Sequence, residues 1–323
     1  MVFFESENID SVFHRIEDII GLSVERIVVE SQRRSTREYL EKQFPLVVRR
    51  MLYFLQPGMI AKRMAGVADV YGYGHVELVD VHAGFLRRAR KEEDYLVMTV
   101  KNPYSIYRYC GDNLGGMEAV TGRACSVKKE KIDEDTYRLE LTVGSHPVEL
   151  EERLARRKYA YKPGRIEMER CPECGVPRGV ARCRWDTEKG TITDPDTGRR
   201  MALFGPASLE AAFDELENEL GETIPDTVIE AQRQFVKESM RKGGWRAYTS
   251  SPEEILAIRG LGMLTSFEAD ARGVSLTIRN SCLYLWVVGL VQGIFELETG
   301  LESSAREWSL TPDGDLTVRV SAG

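Results

Sequence analysis

Two stretches of this chain match each other without a gap. Residues 8–42 align with 208–242 at an offset of 200, pairing Phe13/Phe213, Glu17/Glu217, Gly21/Gly221, Glu30/Glu230, Gln32/Gln232, Arg33/Arg233 and Glu38/Glu238. A second block aligns at an offset of 178, pairing Asn102/Asn280, Gly111/Gly289, Gly115/Gly293, Glu118/Glu296 and Gly122/Gly300. Both blocks recur in the same order, so the repeated unit is a whole domain. With 323 residues, each copy has enough chain to build its own core.

The repeat sets the expected order of elements. Ile9, Val12, Phe13, Ile16 and Ile20 recur at helical spacing and Gly21 stops that helix. A second helix, capped from Ser23, runs toward Phe44 and breaks at Pro45. Strands follow over 75–82 and 95–100, then a helix over 105–120, then a hairpin turning at Asp133-Glu134-Asp135. The second copy repeats this order, with an extra short helix started by Ser251-Pro252-Glu253-Glu254. The fold class is therefore α+β: two tandem helix-helix-hairpin-helix-hairpin domains with helices on antiparallel sheets. The expected domains are 1–145 and 207–323, with a cysteine-bearing linker over 146–206. The second copy is 22 residues shorter, a deficit expected within the apolar 44–66 stretch and the 87–94 loop.

Composition narrows the setting. A net charge of −7 argues against a nucleic-acid partner. The longest apolar run, 283–295, is too short to span a bilayer, and Glu5, Glu7 and Asp10 break any leader. A cytoplasmic protein without a membrane span is expected. No GxGxxG, P-loop, nucleophile elbow or HExxH is present. An enzyme on a vinyl or pyrrole substrate is the least favoured reading.

Six cysteines suggest metal or structural thiols. Cys171-x2-Cys174-Gly has the shape of a zinc knuckle, Cys183 follows eight residues on, and Asp186 stands two beyond that. This spacing predicts a small structural zinc ribbon held by Cys171, Cys174, Cys183 and Asp186, with His146, Cys125 or water as alternatives for the fourth position. The scattered histidines read as surface or satisfied core residues, and haem is left open.

Within the third-helix blocks, Gly111-x3-Gly115 and Gly289-x3-Gly293 predict close packing against the sheet or the other copy. Glu118 and Glu296 read as capping or ion-pairing residues. The two helices differ in character. Residues 283–295 are apolar almost all round and call for burial on several sides. The first-copy helix carries Tyr104, Tyr107, Arg108, Tyr109, Cys110 and Asp112, which reads as a polar, aromatic surface.

The pattern G-x3-G-x2-E-x3-G followed by a hairpin occurs as Gly111–Gly122 and again as Gly289–Gly300. It resembles the 4-vinyl-reductase domain family, whose fold is shared with TRAPP subunits and is similar to haem nitric-oxide sensors. That resemblance implies an apolar cavity between helices and sheet, hydrocarbon or other small-molecule sensing, and dimerisation, which a tandem arrangement would mimic within one chain. Family members carry metal-binding cysteines in the last hairpin. Here only Cys125 stands in the first, and Ser303 and Trp308 occupy the second. The expected function is binding of an apolar or aromatic small molecule, as a sensor or carrier acting through another protein. Candidate ligand residues are Tyr104, Tyr107, Cys110 and Met117, with Phe54 and Leu55 as a lid. The alternative is a scaffold subunit that uses 44–60 as a protein interface; a homo-oligomer is compatible with either reading but not required.

Overall fold

The computed structural model describes residues 1–55, 57–82, 94–144, 160–240 and 251–323. Among these are ten helices and three antiparallel sheets, so the fold is α+β. A strand the sequence did not announce comes first, β1 (Val2–Glu5). Then follow α1 (Ser6–Ile20), α2 (Glu25–Gln43), α3 (Leu46–Leu55), α4 (Pro57–Tyr71), β2 (His75–His82), β3 (Tyr95–Lys101), α5 (Ile106–Thr121), β4 (Cys125–Lys131) and β5 (Thr136–Val143). A short α6 (Arg178–Ala181) leads into β6 (Arg184–Asp186), β7 (Thr191–Thr193) and β8 (Arg200–Phe204). The remainder is α7 (Ala207–Leu220), α8 (Ile224–Ser239), α9 (Pro252–Arg259), β9 (Met263–Ala269), β10 (Gly273–Arg279), α10 (Tyr284–Thr299), β11 (Ala305–Leu310) and β12 (Leu316–Ser321).

Element ends follow local chemistry. Gly21, Gly122 and Gly300 close α1, α5 and α10 in the left-handed conformation. The Ser251 hydroxyl accepts from the Glu254 amide at the start of α9. The order β2-β3-β5-β4 in one sheet matches β9-β10-β12-β11 in another.

The third sheet joins the two halves. β1 runs antiparallel to β8, with Val2 opposite Phe204 and Glu5 opposite Met201. Beside this ladder α1 packs on α8 and α2 on α7. Phe13 and Phe213 meet there with ring centroids 6.4 Å apart. One apolar core runs through both halves, from Phe13 and Leu141 to Trp286 and Val318. Glu5 ties β1 to α9 through a buried ion pair with Arg259, one oxygen lying 2.6 Å from the guanidinium.

The paired glycines pack against a helix of their own half, not against the sheet or the opposite half. A Cβ on Gly111 would lie 2.5 Å from the Val29 carbonyl, and one on Gly115 would lie 2.2 Å from the Arg33 carbonyl. Gly289 meets the Ile229 carbonyl at 2.5 Å in the same way. So α5 lies on α2, and α10 on α8, at a separation only glycine permits. Glutamates lock both contacts. Arg33 bridges Glu30 at 2.9 Å and Glu118 at 2.6 Å. Arg233 bridges Glu230 and Glu296, with Lys237 2.9 Å from Glu296.

Two outcomes follow from this packing. Gly115→Ala should destabilise the chain by about 1–3 kcal/mol through overpacking. Gly116→Ala, with open space around its Cβ, should be neutral or slightly stabilising in the same urea titration. The second outcome concerns Glu5. Burial raises its carboxyl pKa, but the Arg259 charge and hydrogen bond outweigh that and hold it below the usual range. Its pairing stabilises the fold above the unfolded-state pKa and is lost as pH falls through the lowered folded value. Glu5→Gln should therefore cost about 3–5 kcal/mol near neutral pH, with the gap to wild type closing in acid.

Candidate functional site

Three elements enclose an open groove of about 530 Å³: the start of α2, the middle of α5 and strand β4. Its floor is Val29, Cys110, Leu114 and Val127, and its rim is Ser23, Glu25, Arg26, Glu30, Ser126 and Lys129. The glycine-mediated approach of α5 to α2 sets the floor, because it brings Cys110 and Leu114 beside Val29. Lys129 bridges Glu25 at 2.5 Å and stands 4.5 Å from the centre of the Tyr107 ring. The Tyr107 hydroxyl donates to the Glu17 carboxylate at 3.3 Å. Burial, followed by the Glu17 charge, pushes that phenol up, so it stays a donor. Burial also pushes the Cys110 thiol up to about 12. It is a neutral thiol at physiological pH, suited to contact rather than nucleophilic attack.

In the second half a comparable groove of about 510 Å³ lies between α8 and β11, lined by Asp226, Ser304, Arg306, Glu307 and Trp308. There Arg306 crosses from β11 to Asp226 at 2.7 Å and to Gln292 at 2.9 Å. Its lining is polar where the first groove has an apolar floor.

Of the expected ligand residues, Cys110 alone lines the groove. Tyr107 stands behind its rim. Tyr104 and Met117 belong to the main core. Phe54 and Leu55 fall on α3, but their side chains lie outside the described residues. The polar surface expected for α5 is also corrected. Tyr104, Arg108 and Cys110 are each 1% exposed, because α2, α3, β4 and β5 pack around the helix and Arg108 reaches across to Gly205 and to Ser208 of α7.

Those polar groups form an internal network that the sequence did not reveal. Arg108 donates from Nε to Gln32 at 3.0 Å, and from Nη2 to the Gly205 carbonyl and Ser208 hydroxyl at 3.2 Å. Its guanidinium also lies 4.4 Å from the Phe204 ring centre. Asp112 accepts from Gln32, Thr36 and Tyr104, each at 2.7 Å. Burial pushes the Asp112 carboxyl above its usual range despite these bonds. Tyr104 stacks on Tyr73 with centroids 4.0 Å apart. At an offset of 178, Arg108 corresponds to Trp286, and that charge-for-indole exchange was the available signal.

The four-ligand zinc ribbon is not assembled. Among the described residues no group of three or more His, Cys, Asp or Glu is placed to hold a metal ion. The knuckle turn itself forms: Gly175 is left-handed and its amide donates to the Cys171 carbonyl at 2.9 Å. Cys183, however, is buried with Phe3, Ile192 and Met201 in the small core of the third sheet. Asp186 instead accepts from the Lys189 amide at 3.0 Å. The short hairpin needs Cys183 as an apolar filler, which turns that thiol away from the knuckle. Cys125 is fully buried in the first half, and His146 lies outside the described residues. His14 packs edge-on to Tyr107, His75 lies 3.4 Å from Asp69, and His82 stacks on Tyr95.

No protein-family model and no curated protein matches the chain. A solved structure, a Cs H-NOX mutant with the unnatural amino acid 4-cyano-L-phenylalanine at site 5, aligns with 40% of this chain and 78% of its own. The identity is 13% and the TM-score 0.27. So loose a superposition carries no argument about fold or ligand. The resemblance to 4-vinyl-reductase domains rests on the sequence pattern, the glycine–glutamate helix with its hairpin and the elements before it, and no comparison supports it.

The thiols should separate by reactivity. Hydrogen bonds from the Cys174 and Glu173 backbone hold the Cys171 thiol below its ordinary value, whereas Cys110, Cys125, Cys183 and Cys282 are buried. Iodoacetamide on the folded chain should label Cys171 and Cys174 and spare the other four, as read by peptide mass spectrometry.

Proposed function

We propose that this chain is a non-enzymatic binding protein that takes an amphipathic small molecule into the groove between α2, α5 and β4. The observation that carries this reading is the groove's construction: an apolar floor of Val29, Cys110, Leu114 and Val127 under a rim of opposite charges. Its volume falls within the range of small-molecule sites, roughly 300–1,000 Å³. The floor takes an aliphatic or aromatic body, and Arg26 with Lys129 offers cationic contacts for an anionic head. This is a more polar occupant than the hydrocarbon implied by the family resemblance.

We also propose that the two halves are copies of one domain that have divided the work. In support, the same glycine contact and the same arginine–glutamate lock recur in each half, and equivalent grooves have diverged in lining. The first half keeps the binding floor, and the second serves mainly as its rigid partner. Passing the signal to another protein belongs to this proposal.

A fluorescent dansyl-labelled aliphatic carboxylate tests it. Wild-type chain should bind the probe, and Val127→Arg should weaken binding by about tenfold or more, roughly 1.4 kcal/mol. Val47→Glu, far from the groove on α3, should leave the affinity unchanged. Equal affinity in wild type and Val127→Arg would place the probe elsewhere and sink the reading.

A further inference from the structure

Of the six cysteines, two share one surface turn. Cys174 is exposed, Cys171 is half-buried, and both are free thiols. The turn is held from several sides. The Gly175 amide donates to the Cys171 carbonyl and the Cys171 amide to the Val176 carbonyl, each at 2.9 Å. Arg170 donates from Nη1 to the Gly175 carbonyl at 2.7 Å and pairs with Pro177 in an antiparallel bridge. Gly175 takes the left-handed conformation that lets the chain reverse. A reversal this tight keeps the Cα atoms of its first and fourth residues within about 7 Å, and a disulfide spans roughly 4.4–6.8 Å. The Cys174 thiol lies within hydrogen-bonding reach of the Cys171 sulfur. The two sulfurs can therefore be joined with the turn in place.

The two thiols have different surroundings. The backbone amides of Cys174 and Glu173 donate to the Cys171 sulfur, and the Cys174 thiol adds to them. These bonds favour the thiolate, which is the nucleophilic form. Cys171 is thus the attacking sulfur, and Cys174 is placed to displace whatever Cys171 has captured. The other four thiols are out of play. Burial pushes Cys110, Cys125 and Cys282 up to about 12 and Cys183 up to about 11.

Two thiols suffice for two-electron chemistry but do not close a structural metal site. Structural zinc takes four ligands, and among the described residues no third His, Cys, Asp or Glu joins the pair. A disulfide here would not brace the fold either. It would close a loop of only four residues, 171–174, and remove little chain entropy. A surface bond that adds little stability is one that is readily made and broken.

We propose that Cys171 and Cys174 form a reversible redox pair that exchanges with low-molecular-weight disulfides. The Cys171 thiolate attacks one sulfur of the small disulfide, which breaks its S–S bond, forms a mixed disulfide and releases one small thiolate. Cys174 then gives its proton to solvent, and its sulfur displaces the second small thiolate from Cys171. The Cys171–Cys174 bond closes. The pair is oxidised by two electrons, and the small disulfide is reduced to two thiols that take up the protons released. Excess small thiol runs the same steps backward.

Oxidised and reduced glutathione in varied ratio, added to the full chain, test this. After acid quenching and alkylation, trypsin releases residues 171–178, whose only cysteines are these two. In wild type this peptide should pass from two alkylated thiols to one internal disulfide. The ratio of oxidised to reduced peptide should fall with the square of the reduced-glutathione concentration. Cys174→Ser should stop at a glutathione adduct on Cys171. Cys171→Ser should acquire its adduct on Cys174 about threefold more slowly or less readily still. Neither side chain is buried, so both variants should keep the wild-type circular-dichroism melt. Two free thiols in excess oxidised glutathione overturn the proposal, and so do adducts that form equally fast in the two variants. Stoichiometric zinc on the intact chain that Cys171→Ser releases also overturns it, because the pair would then be a metal site.

Discussion

The contact of α5 with α2 is the constraint on which the rest of the structure depends. Gly111 and Gly115 let the two backbones approach until a single methyl group would collide with a carbonyl. Arg33, Glu30 and Glu118 then close the seam from inside, all three nearly excluded from solvent. A buried ion cluster is a poor source of net stability, because desolvation offsets most of the attraction. What it supplies is position. Any slip of α5 along α2 would leave a buried charge without its counterpart. That position in turn sets the groove floor, since Cys110 and Leu114 reach Val29 only at this separation.

The same arrangement in α8 and α10 explains how the halves can share one core. Each presents α1 and α2, or α7 and α8, to the other, and β1 and β8 extend the contact as a two-stranded ladder. Interiors this tightly packed leave little room for a cavity beneath the helices. Tyr104 and Trp286 fill that space, one with a hydrogen bond to Asp112 and the other against Phe4 and Phe213.

Much of the architecture was legible because it depends on local rules. Helical apolar spacing marked α1, Gly21 marked its end, and Asp133–Asp135 marked a hairpin turn. The glutamate repeat pointed correctly to ion pairing. β1 was missed because a four-residue strand has no period to detect, and its partner β8 lies almost 200 residues away. The site was legible only in part. Its floor takes residues from three elements, and none of the sequence patterns links Val29 to Leu114 or Val127.

The sequence by itself determined the order of elements, the positions of close backbone approach, and the charges that seal them. Glycine spacing and matched acids carry that information within a single helix. Only the tertiary structure decided which way side chains face. Tyr104 and Arg108 turn into a polar network between the halves instead of toward solvent, and Cys183 turns into a core instead of toward Cys171 and Cys174. The reason is physical. Burial is set by what packs on each side of an element, and β8, α7 and the small third sheet come from distant parts of the chain.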